Sequence, residues 1–140
     1  MTNLEKAKSI LADSEYTLVL CNGDKLYTSR KRGVAPMLEF IDTETDLKGF
    51  SAADKVIGKA AAMLFVHAGV TEVHADVISN SAADFLYVKG IPFTYNLLVK
   101  NIINRTGDGI CPMEQVTSKL NDTNEAIIAI KKRLEELRKG

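Results

Sequence analysis

The stretch EVHADVISNSAADFLYVKGIPFTY, residues 72–95, decides the fold class. Its first part, residues 72–78, is rich in Val, Ala and Ile, and this composition predicts a strand. Residues 81–88 follow with the spacing of a helix that closes on Lys89-Gly90, and residues 91–95 return to an extended pattern. Strand, helix and strand at this spacing form a βαβ unit, so we expect two parallel strands covered by a helix.

The segment before this unit is apolar nearly all round. Ser51-Ala52-Ala53-Asp54 resembles a capping box, because a Ser hydroxyl and a following carboxylate can satisfy the free amides of a first helical turn. We therefore expect one long buried helix from Ser51 to about Ala68. The small residues of Gly58 to Ala62 permit close approach to a neighbouring element.

Towards the N terminus, the pattern predicts a helix, a hairpin and a second helix. Leu4 to Leu11 has apolar residues at helical spacing. Asn22-Gly23 separates two extended runs, Tyr16 to Cys21 and Asp24 to Ser29, and predicts a hairpin turn in which both residues have positive φ. Ala35 to Ile41 reads as a short helix with a proline in its first turn.

Towards the C terminus, the pattern predicts helices separated by one polar loop. Leu97 to Ile103 is interpreted as a helix, Asn104 to Ile110 as a turn-rich loop, and Cys111-Pro112 as the start of another helix. We expect residues 1–121 to form one domain and residues 122–140 to form an amphipathic helix packed on that domain or on a partner subunit. The apolar stripe of this last helix comprises Ile127, Ile130, Leu134 and Leu137.

Size and charge exclude several classes of protein. A chain of 140 residues suits a single domain. Its 18 basic and 18 acidic residues give a net charge of zero, which does not favour binding to nucleic acid or to an anionic membrane. Cys21 and Cys111 lie far apart in the sequence and suit a reducing compartment. No basic and apolar leader and no apolar run of about 18 residues is present, so we expect a cytoplasmic protein.

Two lysines in the apolar segment are the first candidates for chemistry. Lys55 and Lys59 stand four residues apart and would share one face of the expected helix. In one interpretation they extend to water at the helix edge. In the other they line a cleft and hold an anionic ligand, assisted by the positive helix start at Ser51.

A second polar cluster follows the βαβ unit. It combines a Gly-rich turn with a helix start and contains Asn104, Arg105, Cys111 and Glu114. One interpretation is ordinary turn chemistry, in which Arg105 pairs with a surface carboxylate. The alternative is that the helix start accepts an anion and activates Cys111 as a thiolate nucleophile.

Three strings of this sequence resemble a known family. They are GVAP at residues 33–36, ADKVIGKAAA at residues 53–62 and CPME at residues 111–114, with Asn104-Arg105 before the last. Together they resemble the domain-of-unknown-function family numbered 1893, in the cytidine-deaminase-like superfamily. The resemblance runs from the hairpin to Glu114. It implies an α/β fold, a three-layer α/β/α sandwich around a mixed sheet, here with an added C-terminal helix.

The zinc ligands of that superfamily have no counterpart here. Zinc deaminases carry a His or Cys with a catalytic Glu at one helix start and two Cys at the next. The corresponding segments in this chain, Ala53-Asp54-Lys55 and Ser79-Asn80-Ser81-Ala82, hold neither set. We therefore expect no metal, no cofactor and no zinc-dependent deamination. The resemblance leaves a cleft whose candidate ligand-binding residues are Asp54, Lys55, Lys59, Ser79, Asn80, Asn104, Arg105, Cys111 and Glu114.

Three functions remain open. The favoured hypothesis is a cytoplasmic domain that binds a nucleotide-like or other anionic small molecule in a metal-free cleft. The second is a metal-free enzyme that uses Lys55, Lys59 or Cys111 as a nucleophile. The third is a structural or interaction module with a vestigial cleft. The stripe of the last helix also predicts a homodimer to which that helix contributes.

Overall fold

A computed structural model describes residues 1–104 and 106–139 of the chain. Within these residues the chain forms five strands and six helices. In chain order they are α1 (Asn3–Ala12), β1 (Leu18–Asn22), β2 (Lys25–Ser29), α2 (Ala35–Asp42), β3 (Ser51–Ile57), α3 (Lys59–Ala68), β4 (Glu72–Ser79), α4 (Asn80–Val88), β5 (Phe93–Val99), α5 (Pro112–Thr117) and α6 (Thr123–Lys139).

The strands form one mixed sheet in the order β2-β1-β3-β4-β5. β1 is antiparallel to β2 and β3, whereas β3, β4 and β5 are parallel to one another. The pairing of β4 with β5 aligns His74 with Thr94 and Ile78 with Leu98. The βαβ unit that residues 72–95 predict is therefore present, with α4 as its crossover helix.

Helices cover both faces of the sheet, which makes the fold an α/β/α sandwich. α1 covers one face, where Ala7 and Leu11 pack on Val19, Cys21 and Ala53. The other helices pack on the opposite face around the larger core, to which α3 contributes Ala62, Met63, Leu64 and Phe65. The α/β class, the mixed sheet and the C-terminal helix are thus confirmed. Among the described residues, no helix combines the length and the apolar character needed to cross a membrane.

The expectation of one helix from Ser51 to Ala68 is wrong. Ser51–Ile57 is the central strand β3, hydrogen-bonded to β1 on one side and β4 on the other. A strand covered on both faces lacks the alternation of an edge strand, and here Ser51 and Asp54 stand where a capping box would, so the pattern resembles the start of a buried helix. Gly58, in an extended conformation, separates the strand from α3. Asp54 therefore lies in mid-strand and not in a first helical turn.

Two further local predictions are also wrong. The hairpin turn is centred on Gly23-Asp24, because Asn22 pairs with Lys25, and only Gly23 of the two has positive φ. A glycine at the first central position is typical of a type II′ turn. β5 continues to Val99, so Leu97 and Leu98 lie in a strand and not in the expected helix. Their pairing with Val77 and Ile78 of β4 outweighs the weak helical preference of a short leucine-containing segment.

The C-terminal helix packs on its own domain. Ala126 and Ile130 are fully buried, while Ile127 and Leu134 pack against the larger core. α6 contacts α3 and α5 of the same chain. The predicted stripe is therefore largely buried within the monomer, and Leu137 at its end remains exposed.

Candidate functional site

The starts of α3 and α4 lie side by side at one edge of the sheet. Each helix follows directly from a strand, and β3 and β4 are neighbouring parallel strands. Gly58, the N-cap of α3, has no side chain to accept a hydrogen bond from the first turn. Ser79 caps α4, because its Oγ accepts a hydrogen bond from the Ala82 amide at 3.2 Å. Crevices at the carboxyl ends of parallel strands are where α/β proteins commonly bind ligands.

A carboxylate from α5 occupies the space between these two helix starts. Glu114 is 6% exposed, and its Oε1 accepts a hydrogen bond from the Lys59 amide at 2.5 Å. The Ser81 hydroxyl lies 3.4 Å from both carboxylate oxygens, and the Ile102 amide donates to Oε2 at 3.4 Å. The negative charge therefore sits where free amides and the helix dipole favour an anion.

Gly58 is the residue that lets this carboxylate come so close. A Cβ at position 58 would lie 2.7 Å from Oε1 of Glu114 and 3.3 Å from Cγ1 of Ile102. Because the Lys59 amide holds Glu114, the carboxylate cannot move away from such a Cβ without losing its hydrogen bond to that amide. The glycine therefore permits close approach, as the run of small residues predicts, and the group that it admits is the side chain of Glu114.

The Lys59 side chain lies on one side of the carboxylate. It is 7% exposed, and its Nζ donates to the Ser118 carbonyl at 3.1 Å. Burial lowers the pKa of Lys59, and the charge of Glu114 opposes that effect. The side chain lines a cavity of about 310 Å³ together with Ser81, Asp84, Phe85, Val88, Lys89, Ser118 and Asn121.

A groove lies on the other side of the carboxylate. Its inner cavity, about 230 Å³, has Gly58 and Glu114 in its lining, with Val56, Ile102 and Met113 as apolar neighbours. Its outer cavity, about 520 Å³, includes Asn104, Pro112, Leu134 and Leu137. Both cavities are lined by Arg32, Gly33, Val34, Ile103, Cys111 and Met113, so we treat them as one feature, the Glu114 groove.

The structure brings some of the predicted site residues together. Lys59, Ser79 and Glu114 lie in one polar network, which Ser81 completes through its contacts with Ser79 Oγ at 3.2 Å and with Glu114. Asn104 and Cys111 line the Glu114 groove. Asn104 also holds its loop together, since its Nδ2 donates to Asp108 at 3.0 Å. This is the turn chemistry that one of the two interpretations predicts.

Other predicted site residues lie elsewhere. Lys55 points to the α1 face, where its Nζ lies 3.4 Å from the Leu11 carbonyl and 3.5 Å from Asp76. Lys55 and Lys59 therefore do not share a face, because one is in β3 and the other in α3. Asn80 is exposed at the first position of α4. Arg105 lies outside the described residues.

Asp54 is buried in β3, beside Leu18 on β1 and Ala75 on β4. Its Oδ1 accepts a hydrogen bond from the Val56 amide at 3.4 Å. Burial raises the pKa of Asp54 from 3.8 to about 8, although the nearby amides of Val56 and Lys55 act in the opposite direction. The side chain is absent from the linings of both cavities and of the groove.

Sequence reasoning missed three contributors to the site. Ser81 and the Ile102 amide contact Glu114, and Arg32 lines both cavities of the groove. Ser81 stands two residues after the N-cap of α4, a position from which a hydroxyl can reach a group at the helix start. Arg32 belongs to the basic run Arg30-Lys31-Arg32, which the sequence favours as a solvated loop over a contact to a ligand phosphate. Nothing local to Ile102 marks its amide.

The corrected start of α3 also changes the comparison with zinc deaminases. The two helix starts read Gly58-Lys59-Ala60 and Ser79-Asn80-Ser81-Ala82, and neither contains His or Cys. Over the described residues, no group of three or more His, Cys, Asp or Glu side chains is placed to hold a metal ion. His74 instead contacts Thr94 through Nδ1 at 2.7 Å.

Comparison with known proteins gives a family. The model of the family described as TM1506, Domain of unknown function (DUF1893), matches residues 6–134. The chain is also similar to the crystal structure of a DUF1893 family protein (TM1506) from Thermotoga maritima, with 26% identity and a TM-score of 0.86. That similarity covers 95% of this chain and 91% of the other. No curated protein matches the chain. This chain belongs to the DUF1893 family, as three of its sequence motifs predict.

Proposed function

We propose that this chain is a small-molecule-binding domain and that the Glu114 groove is its binding site. The observation that carries the proposal is a nearly buried carboxylate in the lining of a largely apolar cavity. Ligand sites in proteins are typically apolar pockets with a few fixed polar groups. Glu114 is such a group, since three donors from three different segments hold it in place.

The chemistry of the groove favours a nucleotide-like ligand with a defined orientation. A carboxylate accepts hydrogen bonds and donates none, so Glu114 selects N–H donors such as those on a nucleobase edge. Val56, Ile102 and Met113 provide apolar contact for a flat ring. Arg32 lies in the lining of both cavities and offers a guanidinium to a phosphate or carboxylate. The anionic end of the ligand therefore lies at Arg32 and not at the helix starts.

This orientation revises the expected role of the lysines. The sequence places the ligand's anionic group at the helix starts and Lys59, but Glu114 already supplies a negative charge there. A second anion at the same place would be repelled. We also propose that the chain belongs to the cytidine-deaminase-like superfamily, which its sequence resembles. That resemblance supports a ligand near the two helix starts.

A ligand panel followed by thermal denaturation tests this proposal. The panel comprises nucleobases, nucleosides, nucleoside monophosphates, sugar phosphates and inorganic phosphate. A true ligand at 100 times its dissociation constant stabilises the folded state by about 2.7 kcal/mol. We expect a nucleoside monophosphate to stabilise the chain more than its nucleoside or inorganic phosphate does.

Variants connect any stabilisation to the groove. Glu114→Gln preserves shape but replaces one acceptor oxygen with a donor, so ligand affinity should fall at least tenfold. Glu125→Gln, on an exposed turn of α6, is the matched control and should bind as the wild type does. Equal binding by Glu114→Gln, or no binding by any compound in the panel, contradicts the proposal.

A specific observation favours a second candidate, a metal-free enzyme that uses Lys59. Lys59 is largely buried and lines the 310 Å³ cavity, and burial lowers its pKa. A lysine of this kind can attack a carbonyl carbon, release water and form an imine. Incubation with pyruvate and cyanoborohydride, followed by mass spectrometry, would show a reduced adduct on Lys59. Lys55, which is half-exposed on the other face, is the internal control for non-specific labelling.

A further inference from the structure

The cavity beside Lys59 lies against one face of α4, and we call it the α4 cavity. Its volume is about 310 Å³, which is within the range of small-molecule sites. The end of α5 and the segment after it also contribute to its lining, through Ser118 and Asn121. The residues that α4 contributes have the helical spacing i, i+3, i+4 and i+7, and they are Ser81, Asp84, Phe85 and Val88. The cavity therefore extends along the axis of α4.

Within the part of the chain that the structure describes, the ammonium of Lys59 has no charged partner. Its Nζ donates to the Ser118 carbonyl, and no carboxylate oxygen among the described residues lies within 4.0 Å of it. Glu114 accepts its hydrogen bond from the Lys59 amide instead. Buried charges in proteins are normally paired, and burial lowers the pKa of Lys59. The amine is therefore placed as a reactive group at the cavity and not as one half of an ion pair.

A second lysine lines the α4 cavity at its other end. Lys89 is the C-cap of α4 and follows Ser81 by eight residues, which corresponds to about 12 Å along a helix axis. Its Nζ lies 5.6 Å from the centroid of the Phe85 ring, so the ammonium is held over the lining of the cavity. The backbone of Lys59 lies at the start of α4, because its amide and the Ser81 hydroxyl both contact Glu114. The two lysines therefore enter the cavity from opposite ends of α4.

We propose that the α4 cavity binds an open-chain sugar phosphate, with its carbonyl carbon at Lys59 and its phosphate at Lys89; this assignment rests on the imine chemistry proposed above for Lys59. Glu114 repels an anionic group at the Lys59 end, whereas the ammonium of Lys89 attracts one. The carbonyl and the phosphate must therefore stand at opposite ends of the substrate, several carbon atoms apart. Pyruvate has its carboxylate directly on the carbonyl carbon and does not satisfy both ends.

The remaining polar groups of the lining suit a sugar between these two ends. Asp84 stands between Ser81 and Lys89 in α4, and its carboxylate accepts hydrogen bonds from hydroxyls such as those on the middle carbons of a sugar. The side chain of Asp84 is exposed, so water screens its repulsion of a phosphate. The ammonium of Lys89 and the amide of Asn121 together offer several N–H donors, which suit the oxygens of a phosphate.

The reaction at Lys59 is a condensation that consumes no oxidant or reductant. The neutral amine attacks the aldehyde carbon, so that a C–N bond forms and the electrons of the C=O double bond move to oxygen. This oxygen takes one proton from the nitrogen, which gives a carbinolamine. The hydroxyl then leaves with the second nitrogen proton as water, and a C=N double bond remains between the sugar and Lys59.

Ribose 5-phosphate and ribose are the probes, because both present an aldehyde and only one carries a phosphate. Each is incubated at equal concentration with the full chain and cyanoborohydride, and peptide mass spectrometry gives the rate of labelling at each lysine. We define the phosphate preference of a lysine as its rate with ribose 5-phosphate divided by its rate with ribose. The preference of Lys59 should exceed that of Lys55 by at least about threefold, the effect of one exposed ion pair. Lys55 lies on the α1 face of the sheet, so its preference corrects for the intrinsic reactivity of the two sugars.

A variant of Lys89 connects the preference to the far end of the cavity. Lys89→Met removes the charge and keeps an aliphatic contact with Phe85, and the exposed position should leave the circular dichroism spectrum unchanged. In this variant ribose should still label Lys59, but the phosphate preference of Lys59 should fall to that of Lys55. Lys132→Met, at an exposed position of α6 outside the cavity lining, is the matched control and should retain the preference.

Three results would overturn the sugar phosphate assignment. They are equal preferences at Lys59 and Lys55 in the wild type, a preference that survives Lys89→Met, and a preference lost in Lys132→Met. If pyruvate labels Lys59 while one of these results is found, the imine chemistry stands and the sugar phosphate is excluded. If neither pyruvate nor either sugar labels Lys59, the imine chemistry and the sugar phosphate are both contradicted.

Discussion

Replacement of Asp54 by asparagine should change how stability depends on pH. In the folded chain, burial raises the pKa of Asp54 to about 8, against 3.8 for an ordinary aspartate. Between these values the folded state holds a proton that the unfolded state has released. Stability from this residue is therefore fully present below about pH 4 and is lost as the pH rises to about 8. The amide that Asp54→Asn introduces does not titrate, so the variant has no such dependence.

The expected magnitude follows from proton linkage. One bound proton changes the free energy of unfolding by about 1.4 kcal/mol per pH unit. From about pH 5 to about pH 7, the wild type should therefore lose roughly 2.5 kcal/mol relative to Asp54→Asn. Other titrating groups are present in both proteins, so the difference between them isolates Asp54.

Urea denaturation at several pH values, followed by circular dichroism, measures this difference. Asp84→Asn, on the exposed side of α4, is the matched control for the loss of one carboxylate. The predicted result is a difference between wild type and Asp54→Asn that grows with pH by about 1.4 kcal/mol per unit. A difference that stays constant over this range would refute the burial argument for Asp54.

The remaining predictions concern the start of α3 and the metal content of the purified chain. Gly58→Ala should lower the free energy of unfolding, measured by urea denaturation, by about 1 to 2 kcal/mol, because the added Cβ displaces Glu114. Gly109→Ala is the control and should cost less, since its nearest contact would be at 3.6 Å. Equal losses in the two variants would contradict the close approach of Glu114 to Gly58. Lys59→Met should change the free energy of unfolding by less than about 1 kcal/mol, because removal of a buried charge offsets the lost hydrogen bond to Ser118. An unfolded variant would contradict this prediction. Metal analysis of the purified chain should find no stoichiometric zinc, and assays should find no deamination of cytidine, adenosine or guanine, because both helix starts lack Cys and His; one zinc per chain contradicts this.

Local patterns were sufficient to predict the α/β class. Residues 72–95 show their strand, helix and strand through changes of periodicity that do not depend on distant contacts. The segment from Ser51 to Ile57 illustrates the limit. Its position in the middle of the sheet buries Ser51 and Asp54 along with its apolar residues, and that pattern does not distinguish a central strand from the start of a buried helix. The hydrogen bonds to β1 and β4 decide the matter, and they are not visible locally.

The candidate site was predictable only in part. The polar residues near Glu114 stood out because they combine a Gly-rich turn with a helix start. Their arrangement around α3 could not be foreseen, because Glu114 and Lys59 are 55 residues apart in the chain. Lys55 was assigned to the site because the sequence predicts a helix there, and its position in β3 excludes it. Asp54 was misplaced for the same reason.

The central claim is that the Glu114 groove binds a small molecule. Amide chemical-shift mapping tests it most directly, with ¹⁵N-labelled chain titrated with each nucleoside monophosphate. The account predicts saturable shifts at Gly58, Lys59, Ile102 and Cys111, with much smaller shifts at β2 and at the exposed face of α6. Shifts confined to other parts of the chain, or no saturable shift with any of the nucleotides, would contradict it.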